Sequence, residues 1–463
     1  MSFSIGFEGD GPLARLWKKS GRRALSVAAE VRELAERQRT AALFVAASKS
    51  IEKRRGERVF DVTAPRSETL VRLEPSDLAT PAGNPDGFHL IDTTMMYAPR
   101  SGGVKRYLMA KRSWLEARRL DIRHTLVVPG ARTRAENHGL VTVAAARLPF
   151  GDGYRMPASL TKWEAVLQTL RPDIIEAGDV FVPGHAALET GEALGVPVVG
   201  FCHTDAAALA ALHLGDWAEQ PTFNFWAQAY QRFDHVVAPS RHTAARLAEA
   251  GVTGVTVQGL GVDVDLFDPV RADRPKLLKR LGLPTETRLL VFAGRPAREK
   301  NVEAMIAAVE LLGDPYRLVL IAAGKDARYS PSVVALDYEP TPQKLAALIA
   351  SCDAFLHANE NEIFGLVVLE AMAAGLPVVG PDKGGVGELI DDTVGQHARS
   401  SDPADLAEAI EALFARDIHA LGQAARRRAV TRHTWDRTFE GLTRLYSQLI
   451  AQGARHTPLA LSA

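Results

Sequence analysis

The sequence predicts an α/β protein built from two Rossmann-like domains facing a cleft, with a helical extension in front of them. Three observations lead there. The chain has 463 residues, too many for one ordinary domain and enough for two or three. From about residue 88, short apolar runs alternate with amphipathic segments, the pattern of parallel strands with crossover helices. Near residue 255 that alternation starts a second time. Apolar residues make up 46% of the chain, enough to fill two such cores.

The elements follow in order. Residues 12–56 carry apolar Leu13, Leu16 and Trp17, then Val27, Val31 and Leu34, at helical spacing, and the stretch is basic (Lys18, Lys19, Arg22, Arg23, Lys53, Arg54, Arg55). Residues 57–87 are punctuated by Pro and Gly and read as a loose connection. The first set of strands is expected at 88–93, 122–128, 173–176, 196–201 and 235–238, with helices between them such as 104–118 and 240–250. The second set is expected from 255, then at 289–293, 317–323, 353–357 and 377–380. Residues 404–452 read as helical. The expected division is an extension at 1–87, a first domain at 88–250 and a second at 251–435. In open sheets of this kind, ligands bind beyond the carboxyl ends of the strands.

Composition excludes several classes. Lys+Arg and Asp+Glu are both 55, so no overall basic charge points to nucleic acid. Two cysteines, Cys202 and Cys352, argue against a disulfide scaffold or a zinc site and fit a reducing, cytoplasmic setting. The opening MSFSIGFEGDG lacks the basic and apolar regions of a secretory signal. No apolar run reaches the ~20 residues needed to span a bilayer. There is no G-x4-G-K-[ST] loop and the Gly102-Gly103 pair is not a G-x-G-x-x-G, so ATP hydrolysis and nicotinamide binding lack support.

The chemistry concentrates in ENEIFGLVVLEAMAAGLPVVGP, residues 360–381. Glu362 and Glu370 stand eight positions apart around Phe364-Gly365-Leu366. The apolar run after Gly365 opens a helix that stops at Gly375-Leu376-Pro377. One carboxylate therefore lies in the loop before the helix and the other inside it, on either side of amides that favour a phosphate. A ligand with a phosphate between two sets of hydroxyls, such as a nucleotide-sugar, suits that order.

This segment resembles the donor-site motif of the retaining glycosyltransferases of GT-B architecture, glycosyltransferase family 4. Four further strings resemble that family's motifs, in family order, over residues 88–452. Gly102-Gly103-Val104 follows the strand at 88–93, where a glycine pair can hold a ligand against backbone amides. Phe201-Cys202-His203-Thr204-Asp205 ends the strand at 196–201. Neighbours on a strand point to opposite faces, so Cys202 and His203 do not form a nucleophile pair. Gly294-Arg295 through Lys300 follows the strand at 289–293, and its cations suit a diphosphate. Gly384 through Glu388 forms a glycine-rich turn with a structural role.

The resemblance implies that Arg295 and Lys300 bind the diphosphate, Glu370 the ribose and Glu362 the transferred sugar. It implies that Gly102, Gly103, Gly294, Phe364, Gly365 and Leu366 border the donor, and that His203 meets the sugar and the acceptor. It implies a helix at 436–452 that crosses back to the first domain, and transfer with retention from a UDP- or GDP-sugar without a metal or other cofactor. Mannose and glucose are favoured, with a lipid, lipid-linked or saccharide acceptor. The basic helices at 12–56 would allow a peripheral membrane contact. The alternatives are a nucleotide-sugar epimerase on the same fold or an inactive nucleotide-sugar-binding partner.

Overall fold

The computed structural model describes residues 87–453, apart from 100–101, 119–120, 137–138, 149–152 and 323–328. The basic segment 12–56 lies outside the described residues. An eight-stranded sheet runs, edge to edge, Val255–Val257, His235–Ala238, Val198–Phe201, Ile174–Ala177, Phe88–Thr93, Ile122–Gly130, Leu140–Ala144 and Arg134–Glu136. All its pairs are parallel except the last. A six-stranded, all-parallel sheet runs Val333–Leu336, Tyr316–Ile321, Arg288–Ala293, Ala354–Leu356, Val378–Pro381 and Gly395–Ala398. In both, the first strand in sequence is central, later strands are added on one side, and then the order reverses to the other. That reversal makes a crevice at the carboxyl edge of each sheet.

The strands are short and almost wholly buried, as expected where helices cover both faces of a parallel sheet. Side-chain caps set several helix starts. Asp205 accepts from the Ala208 amide at 3.0 Å, Ser240 from Thr243 at 3.1 Å and Thr434 from Arg437 at 3.4 Å.

Several elements differ from the sequence expectation. Val255–Val257, assigned to the second set, pairs with His235–Ala238 as an edge of the first sheet. The stretch expected as helical at 404–452 is three helices, Pro403–Phe414, Ile418–Arg432 and Trp435–Gln452. Strands at Leu140–Ala144, Arg134–Glu136, Val333–Leu336 and Gly395–Ala398 were not anticipated. Three of these are edge strands and Leu140–Ala144 lies next to an edge, and Gly-Gln-His-Ala carries little strand propensity of its own.

The chain passes between the lobes twice, and the two passages touch. The Val262 amide donates to the His433 carbonyl at 2.9 Å, and Thr438 Oγ1 to the Gly259 carbonyl at 2.9 Å. A Cβ on Gly261 would stand 2.4 Å from the Trp435 nitrogen, so only glycine admits this approach. The helix Trp435–Gln452 then lies on the first-lobe helix Gly103–Arg118. Phe439 stacks on Trp435 (5.2 Å, 7°) and stands 5.7 Å from Tyr107, and its burial contributes about 1.5–3 kcal/mol.

Beneath this contact is a buried ionic cluster. Lys111 Nζ donates to Asp92 and Glu176, each at 2.8 Å, and to the Tyr446 hydroxyl at 3.0 Å. Tyr446, on the returning helix, also donates to Glu176. Burial raises the Asp92 carboxyl, but Lys111 and His124 outweigh it and hold it well below the usual range. Burial and the neighbouring Asp92 keep Glu176 up at about 7 despite Lys111. Lys111→Met would leave two carboxylates facing each other without their cation. The expected loss is about 3–5 kcal/mol, read by urea unfolding; an unchanged midpoint would refute the account.

Candidate functional site

A cavity of about 700 Å³ lies between the lobes. It is lined from the first lobe by His203, Ala208 and Leu212, and from the second by Arg298, Lys300 and Glu362. These residues follow the carboxyl ends of strands in the two sheets, as the strand order requires.

The loop after Ala354–Leu356 is shaped by the glycine-rich turn. A Cβ on Gly385 would stand 2.0 Å from the Ile363 carbonyl oxygen, and the Gly385 amide donates to the Glu362 carbonyl at 2.6 Å. The turn acts through this backbone contact and through Glu388, whose carboxylate accepts from the Arg241 and His242 amides of the first lobe. Glu362 accepts from Lys300 Nζ at 2.5 Å and Asn359 Nδ2 at 3.1 Å, with His357 Nε2 at 3.7 Å. Burial raises this carboxyl, but Lys300 above all, helped by His357 and Asn359, brings it down to about 2. Burial takes the His357 imidazole to about 4, so it is neutral at pH 7. Glu360 turns elsewhere, to Ser401 and Lys383.

Gly365 has φ +95° and introduces the helix Leu366–Ala373, whose start no side chain caps. Glu370 is on this helix and is 3% exposed. Gly375, at φ +82°, follows the last turn, where the Leu376 amide returns to the Ala371 carbonyl. Phe364 is buried and faces the crossover at Gly259 and His433. Leu366 meets the first lobe: a Cβ on Gly103 would stand 3.3 Å from its Cδ1. Gly102 has open space around it. From the helix that Gly103 opens, Arg106 donates to Glu370.

Gly294 follows the strand Arg288–Ala293 directly. Lys300 reaches the cavity, whereas Arg295 is exposed and stands outside its lining. Arg298–Lys300 forms a tight 3-10 turn ending at Asn301, φ +50°, which brings Arg298 to the cavity beside Lys300.

His203 lies over the reversal point of the first sheet, its Cδ2 3.2 Å from where a Cβ on Gly178 would be. Its ring stacks on Phe201 at 4.1 Å, 4.8 Å from Tyr107, and its Nε2 is buried without a hydrogen-bond partner. Burial, with Lys111 nearby, lowers it to about 3, so it is a neutral imidazole. Cys202 is fully buried, and burial pushes its thiol up to about 12, which leaves no nucleophile pair.

The structure thus gathers His203, Lys300 and Glu362 at one cavity, and Gly103, Leu366 and Glu370 at the adjoining lobe contact. Sequence reasoning missed Arg298, Asn359 and Arg106. Arg298 lay inside a string already singled out and Asn359 directly before another; Arg106 follows the glycine pair by one turn and carried no signal of its own. A D-x-D string, Asp263-Val264-Asp265, turns its Asp263 side chain to the amides of Asp265 and Leu266.

The charge on Glu362 gives a pH test. Its carboxyl is at about 2 when folded against 4.5 ordinarily, so its stabilisation is present above pH 4.5 and lost as pH falls towards 2. In Lys300→Met, burial alone would raise that carboxyl. The stability gap between wild type and Lys300→Met, read by urea unfolding from pH 7 to pH 3, should narrow on acidification. A gap constant with pH would contradict the pairing.

Comparison with known proteins agrees with this geometry. Residues 101–266 match the model described as Glycosyltransferase Family 4, and residues 273–428 the one described as Glycosyl transferases group 1. A GDP-mannose-dependent alpha-mannosyltransferase of Mycolicibacterium smegmatis is 33% identical over 228 residues, 49% of this chain and 60% of that protein. A GDP-mannose-dependent alpha-(1-6)-phosphatidylinositol dimannoside mannosyltransferase of Mycobacterium tuberculosis is 30% identical over 368 residues, 75% of this chain and 93% of that protein. Among solved structures, sucrose-phosphate synthase of Thermosynechococcus elongatus superposes with a TM-score of 0.68 at 18% identity, covering 79% of this chain and all of that one. The HepE protein of Anabaena, in complex with UDP and glucose, gives 0.62 at 18% identity, covering 78% and 99%. The two reversed-order sheets, the Glu362–Glu370 pair around an uncapped helix start and these matches together place the chain in glycosyltransferase family 4, with the GT-B fold.

Proposed function

We propose that the protein transfers mannose, with retention, from GDP-mannose to a hydroxyl of a lipid, lipid-linked or saccharide acceptor, without a metal. The observation that carries this reading is the start of Leu366–Ala373, flanked by Glu362 in the cavity and Glu370 on the helix. The names of the relatives support the choice of donor.

In this reading Glu370 accepts hydrogen bonds from the ribose, and the first-turn amides hold a phosphate. Glu362, kept charged by Lys300, orients the hexose hydroxyls. His203, neutral and with an unpartnered Nε2, bonds a hydroxyl of the hexose or of the acceptor. As the bond from the anomeric carbon to the diphosphate breaks, Lys300 and the neighbouring arginines stabilise the charge developing on the leaving group. The acceptor oxygen bonds to the same face of that carbon, and its proton passes to the departing diphosphate. No enzyme carboxylate acts as nucleophile. Closure of the lobes excludes water that would otherwise take the hexose.

Calorimetry with GDP and UDP, each with and without magnesium, tests the donor site. GDP should bind, equally well in both conditions, and binding of neither nucleotide would remove the reading. Glu370→Ala should weaken GDP, whereas Glu362→Ala and the pair Arg295→Ala with Lys300→Ala should abolish mannosyl transfer; full turnover in those variants would contradict their roles.

Among the described residues no helix is long and apolar enough to cross a membrane. The basic residues of 12–56 support an anionic lipid surface as the site of the acceptor. The full chain should sediment with vesicles containing phosphatidylinositol, and Lys18, Lys19, Arg22 and Arg23 changed together to Gln should release it. Equal sedimentation of both would dismiss the contact.

A further inference from the structure

Arg106 lies one turn into Gly103–Arg118, the helix whose first residue packs on Leu366. Its guanidinium crosses between the lobes to Glu370. The two groups are unequal: the Glu370 side chain is 3% exposed and that of Arg106 is 45% exposed. Glu370 is four residues along the helix from Leu366, about 6 Å of axial rise. The guanidinium therefore holds the carboxylate read above as the ribose acceptor, one helical turn from the helix start read as the phosphate site. An arginine side chain is long enough to exchange the one for the other.

Charge balance gives that position a meaning. A buried carboxylate stripped of its cation is costly unless another donor replaces it. A nucleoside diphosphate replaces both partners at once. Its ribose hydroxyls donate to Glu370, and its phosphate oxygens accept from the released guanidinium, which suits them by its planar fork. A nucleoside without phosphates offers the hydroxyls but nothing to the guanidinium.

We propose that Arg106 is a donor-binding residue that changes partner: paired with Glu370 in the structure, it passes to the donor diphosphate when the ribose takes Glu370. This rests on the donor-site reading above. The exchange joins a residue of the first lobe to a ligand bound mainly by the second, so this one tie between the lobes depends on the phosphates rather than on the base or the sugar. Before the donor enters, the same ion pair competes with the ribose. It therefore favours nucleotides over nucleosides.

The test is calorimetric titration of wild type, Arg106→Gln and Arg106→Lys with GDP and with guanosine, or with UDP and uridine if wild type takes UDP. Arg106→Gln should weaken the nucleoside diphosphate roughly tenfold or more, the loss of one hydrogen-bonded charge contact. The nucleoside should bind it at least as well as it binds wild type, because the competitor for Glu370 is gone. Arg106→Lys, which keeps the charge but not the fork, should fall between for the diphosphate. Changes of the same direction and size for both ligands would mark Arg106 as a structural tie alone and overturn the proposal. Wild-type affinities in Arg106→Gln would overturn it too while leaving the donor site standing. If wild type binds neither GDP nor UDP, the donor-site reading falls and this proposal falls with it.

Discussion

The contact from the Gly385 amide to the Glu362 carbonyl constrains the rest of the site. It presses two backbone segments of the second lobe together where no Cβ fits. That fixes the loop 357–365, and the loop fixes both the Glu362 side chain and the entry into Leu366–Ala373. Gly365, in the left-handed region, turns the chain from one to the other. With the helix start so placed, Glu370 falls at the lobe contact and Glu362 in the cavity. A loose loop would leave the same two carboxylates without a defined separation, and a ligand held at both ends would gain little from either.

Electrostatics then assigns a different state to each polar group in the cleft. His203 and His357 are buried and neutral at pH 7, so they can exchange hydrogen bonds with hydroxyls without adding charge. Glu362 is held as an anion by Lys300. The Lys300 ammonium of that pair lines the cavity. The cavity lining thus combines hydrogen-bonding groups such as His203, Asn359 and Ser401 with the Lys300–Glu362 pair, Arg298 and further carboxylates. This composition fits a polar, polyhydroxylated ligand with an anionic end.

The first lobe is tied to the returning helix by the Lys111 cluster and by the ring contacts of Phe439. Tyr107 belongs to both sets of contacts, since its hydroxyl donates to Glu176 and its ring lies 5.7 Å from Phe439, and the same ring is 4.8 Å from His203. The site histidine therefore rests on the same buried layer that anchors the C-terminal helix. The two chain crossings, hydrogen-bonded to each other at Val262 and His433, form a narrow connection beside this layer. One continuous apolar core runs from Leu90 and Phe201 of the first lobe to Phe355 and Val378 of the second.

The sequence by itself determined the class of fold, most of the central strands and the strings that line the cleft. Apolar runs in a parallel sheet are buried on both faces, so their alternation with helices is legible without the tertiary structure. The glycines and charged residues of 294–301 and 360–388 were legible for a similar local reason, since their spacing places them at strand ends and at a helix start. Edge strands such as Val333–Leu336 were not, because their pairing comes from a neighbour rather than from their own propensity. Nor was the place of Val255–Val257, which its partner strand decides. Only the tertiary structure put Arg298 on the cavity, left the His203 Nε2 buried without a partner, and brought Arg106 to a carboxylate 264 positions away. These depend on the packing of two lobes against each other, which no local pattern records.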